Sequence, residues 1–328
     1  MVTSTDSNAD QVTAIGHEER LQELIEGFRL ANPTFRISDD VIRRYHLAMS
    51  TRGFVILSGV SGTGKTWLAT AYAEVAGARA KVVAVDPSWS SNEDLLGYLS
   101  PLDGFYHHTP FSEFVQDAAR EWESANGSGR LAREFHVILD EMNLARVEHY
   151  FSRFLSAMEL RSRHGTARLD LAPGHTVVLS PNLKFAGTVN VDETTHGFAD
   201  KVYDRAQLIE LPLPRDKVVE HLDDQPYAET VLAIWDAVRP IAPFGFRVLD
   251  EIHLHAGAAS EVGTSWQTAL DEQLLQKVLP RVRGADRRLE EGLDAFLGAL
   301  GDEPFPLSRA KAEAMREEYG THGFASFF

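Results

Sequence analysis

Residues 54–77 read FVILSGVSGTGKTWLATAYAEVAG. The apolar run Phe54, Val55, Ile56, Leu57 predicts a buried strand, and Trp67 to Val75 has the composition of a helix. Between them Gly59, Val60, Ser61, Gly62, Thr63, Gly64, Lys65 and Thr66 fit G-x-x-x-x-G-K-[ST], in the strand, loop, helix context that gives this pattern its meaning. The glycines let successive backbone N–H groups turn inward onto a polyphosphate, and the next helix adds the positive end of its dipole. Lys65 is then expected at the β- and γ-phosphates and the Thr66 hydroxyl on Mg2+, with Gly59 to Trp67 as the nucleotide-binding run. A glycine-rich turn carrying a chance lysine is the plain alternative, and the flanking strand and helix weigh against it.

A second apolar run, Phe135 to Leu139, ends in Asp140 and Glu141. Alone, such a run is as compatible with the acidic start of a helix. Its place roughly 75 residues beyond Lys65, with one predicted buried strand (Lys81 to Val85) between, makes it the second strand of a nucleotide site. Asp140 is expected to hold Mg2+ through water, and Glu141 to polarise the water that attacks the γ-phosphate. Lys184 to Asn190 predicts a neighbouring strand whose tip amide, Asn190, positions that water. Arg205, just before a predicted strand from Gln207 to Leu211, stands at an edge from which it reaches the phosphate of a neighbouring subunit. An ordinary ion pair with Asp204 is the competing reading of the same arginine.

Composition narrows the class. The 328 residues suit two domains, or one large α/β domain with a smaller companion, and 44% apolar content is enough for a sizeable core. The absence of cysteine excludes disulfides, thiolate metal sites and a cysteine nucleophile, and fits a reducing cytoplasm. No apolar run reaches the roughly 18 to 20 residues of a membrane span, and the start, MVTSTDSNADQ, has no signal-peptide character, so a soluble cytoplasmic protein is expected. A net charge of −16 argues against binding nucleic acid through the overall field, while leaving room for a local basic path.

The rest of the chain is read around that frame. Residues 1–16 are small and polar and are expected to be a disordered tail. Helical spacing starts at Glu18, with a second helix from Ser38 through Met49, either covering the nucleotide site or simply packing. Gly97 to Pro110 has no clear period and reads as a loop; His107 and His108 within it lack partners at metal-ligand spacing. A helix is expected over about Ala145 to Leu160, then a hairpin of Arg168 to Leu171 and Thr176 to Leu179 turning at Pro173-Gly174, directed to a central pore or folded as a flap. From Pro214 to about Leu300 helix-period stripes recur, at Lys217 to Leu222, Ala228 to Val238, Arg247 to Ala256, Asp271 to Val282 and Arg288 to Leu300. The apolar ending with Phe324, Phe327 and Phe328 docks on a neighbour or packs locally. Four segments result: the tail 1–16, a large α/β nucleotide-binding part 17–212, a helical part 213–300 and a C-terminal tail 301–328.

The order of the P-loop, DEMN at Asp140 to Asn143, GTVN at Gly187 to Asn190, and Asp204-Arg205 resembles the AAA+ ATPases. LLGYLSPLDGFYHHTPF, LDEMNLARVEHYFSRFLSAME and the DETTH after GTVN resemble, more narrowly, the motor subunit of McrBC-type restriction systems, the McrB-like branch beside the MoxR proteins. The resemblance spans Ile37 to Gly284. It implies a P-loop α/β module with a parallel five-stranded sheet flanked by helices, followed by a small α-helical lid whose movement opens and closes the nucleotide cleft. It makes Gly62, Gly64, Lys65 and Thr66 the Walker A residues, Asp140 and Glu141 Walker B, Asn190 sensor 1 and Arg205 a finger acting in trans. It makes Arg247, in PFGFRVLDEI, the sensor 2 arginine, with Arg281 and Arg283 competing for that role. A finger in trans implies a homo-oligomeric ring, by this resemblance a hexamer. The resemblance also implies a McrC-like nuclease partner and DNA as the object of the motor, or, on the MoxR side, a protein client; a nucleotide-locked scaffold with little turnover is the third reading. McrB proper carries MNTADRS where this chain has Val189, Asn190, Val191, Asp192, Glu193, Thr194 and Thr195, which points to ATP at least as much as to GTP. The chain is expected to be the motor alone, without a DNA-reading domain or a nuclease.

Overall fold

The computed structural model describes residues 6–32, 37–191, 196–302 and 304–328. The chain separates into two compact units: one holds the chain up to Ser58 together with Lys65–Leu211, the other Gly59–Gly64 with Pro212–Phe328.

Among the described residues nine strands lie in the first unit: β1 (Phe54–Gly59, its last residue belonging to the loop), β2 (Arg79–Ala84), β3 (Gly97–Leu99), β4 (Tyr106–His108), β5 (Phe135–Asp140), β6 (Ala167–Ala172), β7 (His175–Leu179), β8 (Leu183–Asn190) and β9 (Gln207–Glu210). Five of them make one parallel sheet in the order β2-β5-β8-β1-β9, and the others form two antiparallel hairpins, β3-β4 and β6-β7. Strand alternation sends side chains to opposite faces. Phe54, Ile56, Phe135, Val137, Leu139 and Phe185 enter one core, packed under the helices Pro110–Ser128, Val147–Tyr150 and Ser152–His164. Val55, Leu57, Ile138, Ala186 and Ile209 enter the other, under Asp6–Ala31, Asp39–Thr51 and Lys65–Val75. Central strands buried on both faces read as continuous apolar runs, and all six residues of β1 are buried.

Several sequence expectations change here. The helix Asp6–Ala31 takes in most of the segment expected as a disordered tail at 1–16; no proline falls between 6 and 31 to stop it, and residues 1–5 lie outside the described ones. The strand expected to be buried at Lys81 to Val85 runs instead over Arg79–Ala84 and is alternately exposed; it lies at the sheet edge, with no strand among the described residues paired beyond it. The stretch Gly97 to Pro110 is a β-hairpin, not a loop. At Gly97, φ 97°, any Cβ would collide with the His107 carbonyl, so only glycine lets the two strands close. His107 pairs with Asp103 at 2.8 Å and stacks on Tyr98, which accounts for it without a metal. The helix expected from Ala145 breaks at Phe151, whose φ/ψ of −114°/4° leaves the helical region. In the β6-β7 hairpin Leu169, Leu171, Val177 and Leu179 are buried, and the Arg153 guanidinium donates to the Asp170 and Leu171 carbonyls at 3.0 and 3.2 Å. The N-terminal helices carry a packing role: Phe28, Ile42 and Tyr45 are fully buried against the sheet.

The second unit is helical: Arg215–His221, Ala228–Val238, Phe246–Glu261, Trp266–Gln273, Arg288–Ala299 and Pro306–His322. The helix expected to run from Asp271 to Val282 widens into a π turn, Leu274–Val278, and a 3-10 turn, Leu279–Arg281. Pro280 explains the change, since it has no N–H to give and its ring crowds the carbonyl four residues earlier. The segment 301–328, expected as a tail, supplies core: Phe305, Ala312, Met315 and Ala325 are buried with Trp235, Leu249 and Phe296. Asp271, 2% exposed, holds that last helix by its start, accepting from the N–H groups of Leu307 (2.9 Å) and Ser308 (2.8 Å), which have no partner inside the helix. Gly284 and Ala325 then exchange both backbone hydrogen bonds. Among the described residues no helix is long and apolar enough to cross a membrane.

Candidate functional site

In the first unit the register of β5 against β8 does the positioning. Pairing Ile138 with Ala186 and Leu139 with Gly187 sets Asp140, the last residue of β5, level with Thr188, two residues before the end of β8. Gly187 permits the close approach, because a Cβ there would strike the Met142 sulfur. The Thr188 hydroxyl donates to Asp140 Oδ1 at 2.8 Å and accepts from the Glu141 N–H at 2.9 Å, so one side chain fixes both acidic residues. The same Asp140 oxygen accepts from the Thr66 hydroxyl at 2.5 Å. Lys65, 6% exposed, and Thr66 open the helix Lys65–Val75, as expected of the end of a phosphate-binding turn. Trp67, next along that helix, is 42% exposed.

Glu141 has φ 53°, a conformation side chains other than glycine seldom adopt. It is held there by its N–H on Thr188, by the Met142 N–H on the Thr188 carbonyl (2.8 Å), and by the Leu144 N–H on its own carbonyl (2.9 Å). Such a backbone persists only where its surroundings over-determine it. Its side chain meets Asn190, whose Nδ2 donates to Glu141 Oε1 at 3.3 Å. The donor set near Asp140, a carboxylate and a hydroxyl, consists of hard oxygens and fits Mg2+, which takes few protein ligands and keeps water and phosphate oxygens for the rest.

Sequence reasoning placed Thr66, Asp140, Glu141 and Asn190 together, and the structure brings them together. It passed over Thr188. The signal was the period of two: counting back two from Asn190 along β8 reaches a side chain on the same face, beside Asp140. The segment Asp192 to Thr195, which carried the comparison with McrB proper, lies outside the described residues.

Arg205 is anchored rather than outstretched. Its Nη2 pairs with Glu159 at 2.5 Å, Nε donates to the Leu155 carbonyl at 2.9 Å and Nη1 to the Lys201 carbonyl at 2.8 Å. The carboxylate that engages it is Glu159, not the expected Asp204, because Glu159 projects from the adjacent helix Ser152–His164 onto the same edge.

The second unit carries the loop Gly59–Gly64 and Arg247. Gly62 and Gly64 have φ of 82° and 87°, and the Thr63 N–H and hydroxyl both donate to the Val60 carbonyl, at 3.3 and 2.9 Å, closing the tight turn. Arg247 opens the helix Phe246–Glu261 against this loop: a Cβ added to Gly62 would lie 2.8 Å from the Arg247 Cβ. Of the competing arginines, Arg281 sits in the 3-10 turn and Arg283 is exposed.

Comparison with known families agrees with this geometry. Residues 54–205 match the family described as AAA domain (dynein-related subfamily), and residues 216–324 match a domain of unknown function, DUF8727. No curated protein matches the chain. The parallel β2-β5-β8-β1-β9 sheet between two helical layers and the P-loop after its β1 strand agree with the family match: residues 54–205 have the α/β fold of an AAA domain, which supports an AAA+ ATPase.

Proposed function

We propose that this chain is a Mg2+-dependent nucleoside triphosphatase that works as the motor of a homo-oligomeric ring, a hexamer. The observation that carries the proposal is the hydrogen-bonded chain of the Thr66 hydroxyl, the Asp140 carboxylate, the Thr188 hydroxyl and the Glu141 N–H, with Asn190 on the Glu141 carboxylate. In this reading Mg2+ supplies charge neutralisation of the phosphates when bound. Thr66 and Asp140 would hold it, while Lys65 and the N–H groups of the Gly59–Gly64 loop bind the phosphate chain. Glu141 accepts a proton from the attacking water, and Asn190 keeps the Glu141 side chain aligned for it. Arg205 serves a neighbouring subunit's γ-phosphate once it leaves Glu159, and Arg247 serves as the nucleotide sensor.

As to purpose, we assign the chain to the McrB-like branch, as an ATP-driven motor acting on DNA with a partner nuclease in defence against foreign DNA. The support is the sequence likeness of LLGYLSPLDGFYHHTPF and LDEMNLARVEHYFSRFLSAME. One observation favours the MoxR-like alternative, remodelling of a protein client. Leu102 and Phe105, at the tip of the β3-β4 hairpin, are 96% and 72% exposed, an apolar display that suits protein better than DNA, and the net charge of −16 leans the same way. Hydrolysis of ATP and GTP side by side, with and without DNA and with Lys65→Ala as the blank, separates these readings. Turnover above the blank that rises with DNA supports the motor; turnover indifferent to DNA favours the remodelling role; none in any condition removes the triphosphatase.

A further inference from the structure

At the end of the sheet where the strands begin, away from the tips that carry Asp140 and Asn190, a surface cleft is lined by Thr51, Arg52, Arg161, Ser162, Lys184 and Gln207. No acidic side chain lines it. Gly53, with φ 63°, turns the chain into β1 here, and the point where its Cβ would stand is 3.5 Å from both Arg161 Nη2 and Lys184 Nζ. Two half-buried cations therefore converge on Gly53.

Their partners do not neutralise them. Arg161 spends Nη1 on the carbonyls of Ser180 (3.1 Å) and Leu183 (2.7 Å), neutral acceptors that fix the direction of its guanidinium. Lys184 has no ion pair among the described residues. The one carboxylate that acts on it at a distance, Glu134, is bound to His136 Nε2 at 2.9 Å. Glu159, two residues back on the helix, is taken by Arg163 and Arg205. Burial pulls Arg161 down to about 10, and burial followed by the Arg161 charge pulls Lys184 below the ordinary lysine value, against the upward pull of Glu134. Buried like charges are costly unless an anion joins them. The Thr51 and Ser162 hydroxyls already donate to the Leu47 and Glu159 carbonyls, so the donors lining the cleft are the two half-buried cations, exposed Arg52 and the Gln207 amide.

We propose that this cleft is a second anion site, distinct from the P-loop, that takes an oxyanion of the phosphate class through Arg52, Arg161 and Lys184. The anion is free phosphate or a phosphate group borne by a nucleotide.

The test uses the full chain in the Lys65→Ala background, which silences phosphate binding at the P-loop. Titration with inorganic phosphate and, separately, with ATP is followed by 31P NMR and calorimetry. Saturable binding is expected, displaced by sulfate, and weakened at least tenfold when Arg52→Gln and Lys184→Gln are added; both variants keep the Arg161 bonds that anchor β8. The titrant that binds tells free phosphate from nucleotide-borne phosphate. No binding of either, or binding undiminished by the double variant with folding intact by circular dichroism, overturns the site.

Discussion

Thr188→Val exchanges a hydroxyl for a methyl of nearly the same size, so β8 keeps its packing while the polar link at its tip disappears. Two bonds go with it: the donation to Asp140 at 2.8 Å and the acceptance from the Glu141 N–H at 2.9 Å. A hydrogen bond to a charged group contributes about 1.5–3 kcal/mol, and leaving the second partner unsatisfied costs about 1–3 kcal/mol. Thr188 is 2% exposed, so water offers no easy replacement. Part of the loss lowers stability in every state. If only one bond's worth, about 1.5–3 kcal/mol, reaches the transition state through the loosened Glu141 backbone, kcat falls roughly ten- to hundredfold. The assay is steady-state ATP hydrolysis together with equilibrium nucleotide binding for the wild type, Thr188→Val and Thr188→Ser. The serine variant retains the hydroxyl and is expected to recover most of the activity, with nucleotide affinity little changed throughout. A valine variant with wild-type kcat, or a serine variant as impaired as the valine, refutes the positioning role.

Glu141→Gln is expected to bind nucleotide yet hydrolyse it at least a hundredfold more slowly, with the ring stabilised in sizing chromatography; rapid product formation removes Glu141 from its role. Arg205→Ala should abolish turnover and spare nucleotide binding, while Glu159→Gln, which loosens Arg205 and the exposed Arg163, should keep turnover within a few-fold of wild type; equal losses in the two variants would mean that Arg205 merely ties down its helix. Asp271→Ala strips both bonds from the start of the last helix and should lower the stability of the helical unit by about 3 kcal/mol, read from the Trp235 and Trp266 fluorescence in urea; a change below about 1 kcal/mol contradicts the capping argument. Glu121, bonded to Arg130 first and then to the Arg133 N–H, is lowered to about 2, so its contribution is present above its unfolded value near 4.5 and fades as pH falls from there toward 2. Glu121→Gln should flatten the stability profile in that window, and an unchanged acid limb would count against the pairing.

Much of this architecture was legible because parallel central strands advertise themselves. Phe54 to Gly59 and Phe135 to Asp140 are continuous apolar runs ending in the residues that matter, and buried strands of a parallel sheet have no polar face to blur the signal. The edge strand Arg79–Ala84 alternates and was shifted by two residues, since its apolar half alone was visible. The β3-β4 hairpin escaped notice because three-residue strands carry too few positions to establish a period, and its closure depends on Gly97 meeting a carbonyl across the turn. Thr188 and the Glu159 partner of Arg205 are products of register and of helix placement, relations between segments 47 and 46 residues apart that no local pattern encodes. The last helix was missed for a similar reason, its start being fixed by Asp271, an aspartate 37 residues upstream of Ser308.

That clasp has a consequence for the order in which the chain is made. The α/β unit has its last strand once Glu210 has been added. The helical unit lacks Phe305, Met315 and the Ala325 bridge until synthesis passes Ala325, more than a hundred residues later. At the roughly 5–20 residues per second of translation, the delay is on the order of ten seconds. From the moment it is made Asp271 stands without its helix, and the apolar surfaces of Trp235, Leu249 and Phe296 await their cover. The last third of this chain is thus its aggregation-prone part at birth, and a folding chaperone that meets the nascent chain would find its work there.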